Sequence, residues 1–313
     1  MKKVGLVFPG QGSQYVGMGK DFSDRFPAAR EVFAEANEAL GYDLAALCFQ
    51  GPEEDLKLTA NTQPAILTVS VAALRVMQVE RELIPIATAG HSLGEYGALV
   101  VSGGLRFADA VRLVHLRGKF MQEAVPIGVG AMAAIMGMTG PEVEVLCQEA
   151  AQGEVLSPAN YNSPGQIAIA GHRPAVNRAV AIVSQQAGKK AVLLPVSAPF
   201  HCALLKPAAE RLQEELAKVE VGDLHVPVLS NAEADFYPGK DKIRELLIKQ
   251  IDHPVRWEEC MQKLIRAGAN LVLEVGPGKV LTGLMRRISK DLRVANVEDG
   301  PSWEKAQALL TEE

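Results

Sequence analysis

Residues 90–94 of this 313-residue chain read Gly-His-Ser-Leu-Gly, and no other segment constrains the fold as strongly as this Gly-x-Ser-x-Gly turn. The run before it, Leu83-Ile84-Pro85-Ile86-Ala87-Thr88-Ala89, reads as a short buried strand, and Glu95-Tyr96-Gly97-Ala98-Leu99-Val100-Val101 reads as the start of a helix. A serine on so sharp a strand-to-helix turn has its hydroxyl lifted clear of the sheet and aimed into a crevice. Glycine on both flanks lets the chain bend that tightly and pack closely. The helix that follows points its first backbone N–H groups at any oxyanion formed beside the serine. The pattern alone also occurs as a plain structural turn; the strand before it and the helix after it favour the catalytic reading.

Around this turn, strand-like and helical segments alternate: Val4–Phe8 as strand, Pro27–Leu40 and Gln63–Met77 as helices, Ile84–Ala89 as strand, Phe107–Ala124 as helix. Short buried strands between amphipathic helices predict a parallel sheet covered on both faces. The pattern changes near Pro126-Ile127-Gly128. Strands at 131–136, 156–161, 166–170 and 191–196 with helices at 141–151 and 174–187 follow the β-α-β-β-α-β order of a ferredoxin-like unit. Alternation resumes with Leu204–Val219, Val226–Ser230, Ile243–Ile251, Trp257–Ala267 and Leu271–Val275. The expectation is an α/β protein whose parallel-sheet core (1–125 and 198–313) is interrupted by a ferredoxin-like subdomain (126–197). The polar stretch after Val297 is expected to fray. A cleft between two such units is the expected ligand site.

A hydrophobic share of 48% with 22% charged residues is that of an ordinary globular enzyme. The net charge of −5 argues against nucleic acid or an anionic membrane as the main partner, while leaving room for a local basic patch. The four cysteines, Cys48, Cys147, Cys202 and Cys260, are widely spaced, without a Cys-x-x-Cys pair or a histidine cluster. Neither a disulfide framework nor a zinc site is expected, and the cytoplasm is the natural compartment. The apolar run behind Met1-Lys2-Lys3 stops at Phe8, too soon for a signal-peptide core. No run of 18 apolar residues predicts a membrane span.

A serine nucleophile needs a base, and there are six histidines. His91 is expected to point away from the crevice, His115 to lie on the charged face of its helix with Arg112 and Lys119, and His172, His225 and His253 to be solvated. His201 differs. It follows the apolar strand 191–196 and a Ser197-Ala198-Pro199-Phe200 turn, which puts it at the C-terminal sheet edge that carries Ser92. With the serine turn present, His201 is favoured as the general base. Cys202 beside it reads as a small packing residue.

On the helix beginning at Phe107, Ala110, Val111, Leu113, Val114, Leu116, Gly118 and Met121 form one apolar arc, and Arg117 falls inside it. A buried guanidinium is costly unless something negative meets it. Two partners satisfy that demand: an Asp or Glu of the chain in a structural salt bridge, or a substrate carboxylate held by the bidentate fork that arginine offers. Gly10-Gln11-Gly12-Ser13-Gln14 lacks the glycines and lysine of a nucleotide loop. At a strand end it can instead present a backbone N–H to an oxyanion, with Leu93, the residue after the nucleophile, supplying the second. Gly276-Pro277-Gly278 is read as another strand-to-helix turn without chemistry.

Taken together and in this order, these segments resemble the malonyl-CoA:acyl carrier protein transacylases from Val4 to about Ile288. The motifs are FPGQGSQ at 8–14, NTQPA at 61–65, GHSLGEY at 90–96, RGKFMQEA at 117–124, YNSPGQ at 161–166, SAPFH at 197–201 and QIDHPVRW at 250–257. Gly97, where serine or alanine is expected, is a mild departure. The resemblance implies an α/β-hydrolase-like core with a ferredoxin-like insertion. It implies that Ser92 is acylated by malonyl-CoA, that His201 is its base, and that the backbone amides of Gln11 and Leu93 form the oxyanion hole. It further implies that Arg117 clamps the malonyl carboxylate, that the Gln250 main-chain carbonyl orients His201, and that Gln63, Met121 and Asn162 line the pocket. The acceptor would be the phosphopantetheine thiol of an acyl carrier protein in fatty acid biosynthesis, or in a polyketide pathway, with no metal or redox cofactor. Two other readings differ in one feature each: a serine thioesterase or esterase needs an acid as third member, and a carrier-binding module would not need Ser92. Lys189-Lys190 and Arg286-Arg287 with Lys290 are the densest basic groups available to an acidic carrier.

Overall fold

The computed structural model describes residues 2–196 and 198–311; Ser197 of the expected turn before His201, Met1 and the last two residues lie outside them. Eight strands occur among the described residues: β1 (Val4–Phe8), β2 (Ala87–Gly90), β3 (Gly130–Met136), β4 (Leu156–Ser163), β5 (Gln166–His172), β6 (Lys190–Leu193), β7 (Leu271–Val275) and β8 (Arg293–Val297). They form two sheets, β2-β1-β7-β8 and β4-β5-β3-β6. The first is wholly parallel. Its central strands, Val-Gly-Leu-Val-Phe and Leu-Val-Leu-Glu-Val, are buried along their whole length because helices cover both faces. Glu274 is the polar exception, and it caps a helix: its carboxylate accepts the Leu281 and Thr282 N–H groups at 2.9 and 2.7 Å.

The second sheet is antiparallel, with β3 between β5 and β6. Helices Gly140–Ala151 and Arg173–Ser184 complete the expected β-α-β-β-α-β order. This unit packs an apolar cluster of its own, including Ile135, Val143, Leu146, Ile169, Val176 and Val183.

Register positions the site. Phe8 of β1 pairs with Gly90 of β2, so both strands end level and deliver the Gln11 loop and the Ser92 turn side by side at one sheet edge. The Thr59–Glu80 and Phe107–Glu123 helices cross above that edge. They approach closely where Gly118 meets the first turn of the other helix; a Cβ there would lie 2.5 Å from the Thr59 carbonyl oxygen.

Several expectations are corrected. The strand before the serine turn starts only at Ala87, since Pro85 cannot donate to a ladder and Ile84 is exposed. Segment 226–230 makes only isolated pairings, Val228 with Thr88 and Leu229 with Phe236, because Pro227 also lacks a donor. The stretch after Val297 does not fray. Gly300–Thr311 is a helix that buries Trp303, Ala306 and Leu310, spaced three and four residues apart on one face. No helix of the described residues is long and apolar enough to cross a membrane.

Candidate active site

Ser92 sits at the tip of the β2 turn with φ 53°, a left-handed conformation that a serine adopts only when its surroundings hold it there. Close packing enforces it. A Cβ on Gly90 would fall 1.8 Å from the Gly94 carbonyl carbon, and one on Gly94 would fall 2.1 Å from the Phe8 carbonyl oxygen. The helix Gly94–Ser102 starts directly behind the serine.

The Ser92 hydroxyl lies 2.7 Å from His201 Nε2, and His201 Nδ1 lies 2.8 Å from the Gln250 main-chain carbonyl. A carbonyl only accepts, so Nδ1 carries the proton and Nε2 is free to take one from the serine. His201 is buried and also has a positive φ, 60°. Burial, reinforced by the Arg117 charge, pushes its pKa down to about 3, which keeps the imidazole neutral. The acid that a hydrolase triad would place at Nδ1 is replaced by this carbonyl.

Arg117 is 1% exposed and makes no ion pair among the described residues. Its Nη1 donates to Gln63 Oε1 at 2.7 Å, and its Nη2 donates to Gln250 Oε1 at 2.9 Å and to Ser92 Oγ at 3.0 Å. Nε has no partner among the described residues, and the guanidinium lies 5.8 Å from the Tyr96 ring centroid. The structural salt bridge is therefore not what meets this charge. Its fork sits beside the serine, held by neutral amides. The close crossing at Gly118 is what brings Gln63 within reach of it.

A cavity opens over Ser92 between the two sheets. Gln11, Gln63, Leu93, Arg117, Met121 and His201 line one side; Met132, Asn160, Leu194 and Val196 line the other. The N–H groups of Gln11 and Leu93 have no acceptor among the described residues, so both are available to an oxyanion. Gln63 Nε2 rests on Met121 Sδ at 3.7 Å. Asn162 is not on the wall; it reaches the site through His91, whose Nε2 donates to Asn162 Oδ1 at 2.8 Å.

The acyl transferase domain family matches residues 6–309. A malonyl CoA-acyl carrier protein transacylase from Escherichia coli (strain K12) is 52% identical over 309 residues, which is 99% of this chain and 100% of that protein. The chain belongs to the malonyl CoA-acyl carrier protein transacylase family. An acyl carrier protein S-malonyltransferase structure from Vibrio cholerae O1 biovar eltor str. N16961 is 48% identical and matches with a TM-score of 0.93 over 97% of this chain and 100% of that one. A malonyl-transacylase in complex with a type II PKS acyl-carrier protein is 47% identical with a TM-score of 0.95 over 98% of this chain and 100% of that chain.

In this transacylase fold, several residues, some of them at the site, lie otherwise than the sequence reading has them. His91 turns into the cavity instead of away, packed 5.5 Å from the Trp257 ring and tied to Asn162. Gly10 leaves room for it: a Cβ there would lie 3.2 Å from His91 Nδ1. His115 is half-buried, because Pro64 cannot donate to the Ala60 carbonyl and His115 Nδ1 takes that acceptor at 2.9 Å. His172 is half-buried too, accepting the Val155 N–H on Nδ1 at 2.9 Å. Asn231 braces the serine turn, accepting the Ser92 N–H and donating to the Gly90 carbonyl, both at 2.7 Å. A polar residue just past the apolar 226–230 run, at the same sheet edge, was the available signal for it.

Proposed function

We infer that this chain transfers a malonyl group from malonyl-CoA to the phosphopantetheine thiol of an acyl carrier protein, as an [acyl-carrier-protein] S-malonyltransferase of fatty acid biosynthesis. The observation that carries the reading is the buried Arg117 fork, which meets no carboxylate among the described residues and lies 3.0 Å from the Ser92 hydroxyl. A malonyl ester on Ser92 extends its carboxylate two carbon–carbon bonds past the ester carbon, into the reach of that fork. An acetyl ester would leave the charge as it is.

Ser92 Oγ attacks the thioester carbonyl while its proton passes to His201 Nε2. The oxyanion is received by the Gln11 and Leu93 N–H groups. Collapse breaks the C–S bond, the CoA sulfur takes the proton from His201, and malonyl-Ser92 remains. The carrier thiol then gives its proton to His201, attacks the ester carbonyl and expels Ser92 Oγ, which recovers the proton. Covalent storage of the acyl group makes the kinetics ping-pong. The Gln250 carbonyl holds the required tautomer throughout, while Gln63 and Met121 shape the acyl pocket. Serine–histidine chemistry of this kind calls on no metal or redox cofactor.

We further propose that residues 126–197 form the ferredoxin-like subdomain and that 1–125 with 198–313 form the core, a division supported by the separate apolar cluster under β3–β6. All four cysteines are free and buried, which suits the reducing cytoplasm. The deciding experiment is the intact mass of the protein after incubation with malonyl-CoA. One malonyl adduct is expected on the parent and none on Ser92→Ala; an adduct on the variant at the parent's level would remove Ser92 from the mechanism.

A further inference from the structure

Among the described residues no carboxylate touches Arg117, yet one lies a single side chain away. Glu95, on the first turn behind the serine, is fully buried. Its Oε1 accepts from the Tyr237 hydroxyl, and its Oε2 accepts from Gln250 Nε2 at 2.6 Å and from the Asn231 N–H at 3.0 Å. The other Gln250 Nε2 contact is the Ser92 carbonyl at 2.9 Å. Both amide hydrogens are thereby engaged, and the amide oxygen faces Arg117 Nη2 at 2.9 Å. This amide has one permitted orientation: flipped, it would set its donors against a guanidinium and its oxygen against a carboxylate. The Gln250 carboxamide is thus polarised between an anion and a cation, and its main chain holds His201.

We propose that Glu95 is a positioning residue for acyl transfer: through the Gln250 carboxamide it supplies the counter-charge that holds the Arg117 fork beside Ser92. It thereby sets the preference for acyl groups that carry a carboxylate. The proposal rests on the clamp reading of Arg117. Without the Glu95 charge, the Gln250 amide keeps its contacts to the Ser92 carbonyl and to Arg117 but loses the anion that polarises it, so its oxygen holds the guanidinium less firmly.

The test is kcat/KM for malonyl-CoA and acetyl-CoA in the parent, Glu95→Gln, Gln250→Ala and the double variant, with Arg117→Ala alongside. Glu95→Gln keeps the volume and one acceptor oxygen, and the Tyr237 hydroxyl can turn to accept from the new amide. It should lower the malonyl-over-acetyl ratio about tenfold or more, and so should Gln250→Ala. Because both act through one amide, the double variant should be no worse than Gln250→Ala alone. An unchanged ratio in Glu95→Gln, or losses that multiply in the double variant, overturns the proposal. The two readings separate cleanly: a ratio unmoved by Arg117→Ala refutes the clamp itself, whereas one that collapses there but survives Glu95→Gln refutes only the Glu95 role.

Should Glu95→Gln fail to fold, the parent supplies the same test through pH. The titratable groups facing Glu95 are Tyr237, Tyr96, Cys260 and Arg117, with His201 and His91 beyond the Ser92 turn. Burial keeps the tyrosines and the thiol protonated and both histidines neutral, and arginine keeps its charge. Burial pushes Glu95 up to about 7, so it alone among them changes charge between about pH 8 and about pH 6. Protonation removes the counter-charge, so the malonyl-over-acetyl ratio of the parent should fall with pH across that window. A flat ratio overturns the proposal.

Discussion

Arg117 Nη2 stands 3.0 Å from Ser92 Oγ, so a buried cation touches the oxygen proposed here as the nucleophile. The contact ties reactivity and selectivity together. On the mechanism proposed above, the guanidinium favours developing negative charge on the serine oxygen and meets the carboxylate of a short diacid.

Substitution of Arg117 separates these roles. Arg117→Ala should lose malonyl transfer yet accept acetyl-CoA better, relative to malonyl-CoA, than the parent does, since no buried charge is then left unpaired. Arg117→Lys should recover only part of the activity, because an ammonium cannot reproduce a two-point fork. Steady-state kinetics on both acyl-CoAs beside the Tm decide the matter; equal losses on both substrates with a lower Tm would retire the clamp.

His201 makes a kinetic and a thermodynamic prediction. His201→Ala should slow formation of the acyl-enzyme by about 10²-fold or more, read by rapid-quench mass spectrometry. The folded histidine, held down to about 3, stays neutral where the unfolded one, near 6.5, takes up a proton. The unfolded state binds more protons in that interval, so the contribution of His201 to stability is lost as pH falls below about 6.5. The Tm of the parent minus that of His201→Asn should therefore decrease on acidification. A constant difference contradicts the buried neutral imidazole.

Gly118→Ala should damage the site from outside it. The added methyl meets the Thr59 carbonyl and forces the two crossing helices apart. A cost of about 1–3 kcal/mol in chemical denaturation is expected, typical of overpacking. Arg117 and Gln63 would separate with the helices, so malonyl preference should weaken as well. Parent-like stability and preference would show that the crossing is not what sets the fork.

Carrier recognition should depend on the end of the Val280–Ile288 helix and the turn after it more than on the 189–190 pair. Lys189 is already tied to Glu142 at 3.0 Å, whereas Arg286 and Lys290 are exposed. Reversing Arg286 and Lys290 to glutamate should raise the KM for an acidic carrier and flatten its salt dependence, while self-acylation by malonyl-CoA stays unchanged. An unaltered carrier KM rejects this surface.

Sequence alone determined the class of fold, the serine turn, the candidate base and the misplaced arginine. Each is a local matter: glycine spacing, strand period, or a charge inside an apolar arc. The parallel and antiparallel sheets and the ferredoxin-like order were legible for the same reason. The tertiary structure decided what answers Arg117. Periodicity demanded a negative group, but whether it is in contact or one amide away depends on how residues 95, 117 and 250 converge, and no local rule carries that. Likewise Asn231 under Ser92, and His91 turned into the cavity, follow from close approaches at Gly10, Gly90 and Gly94 that exist only once the strands are packed. Hydrogen bonds between residues more than a hundred positions apart, such as Ser92 with His201, are properties of the packed chain and are absent from any window of its sequence.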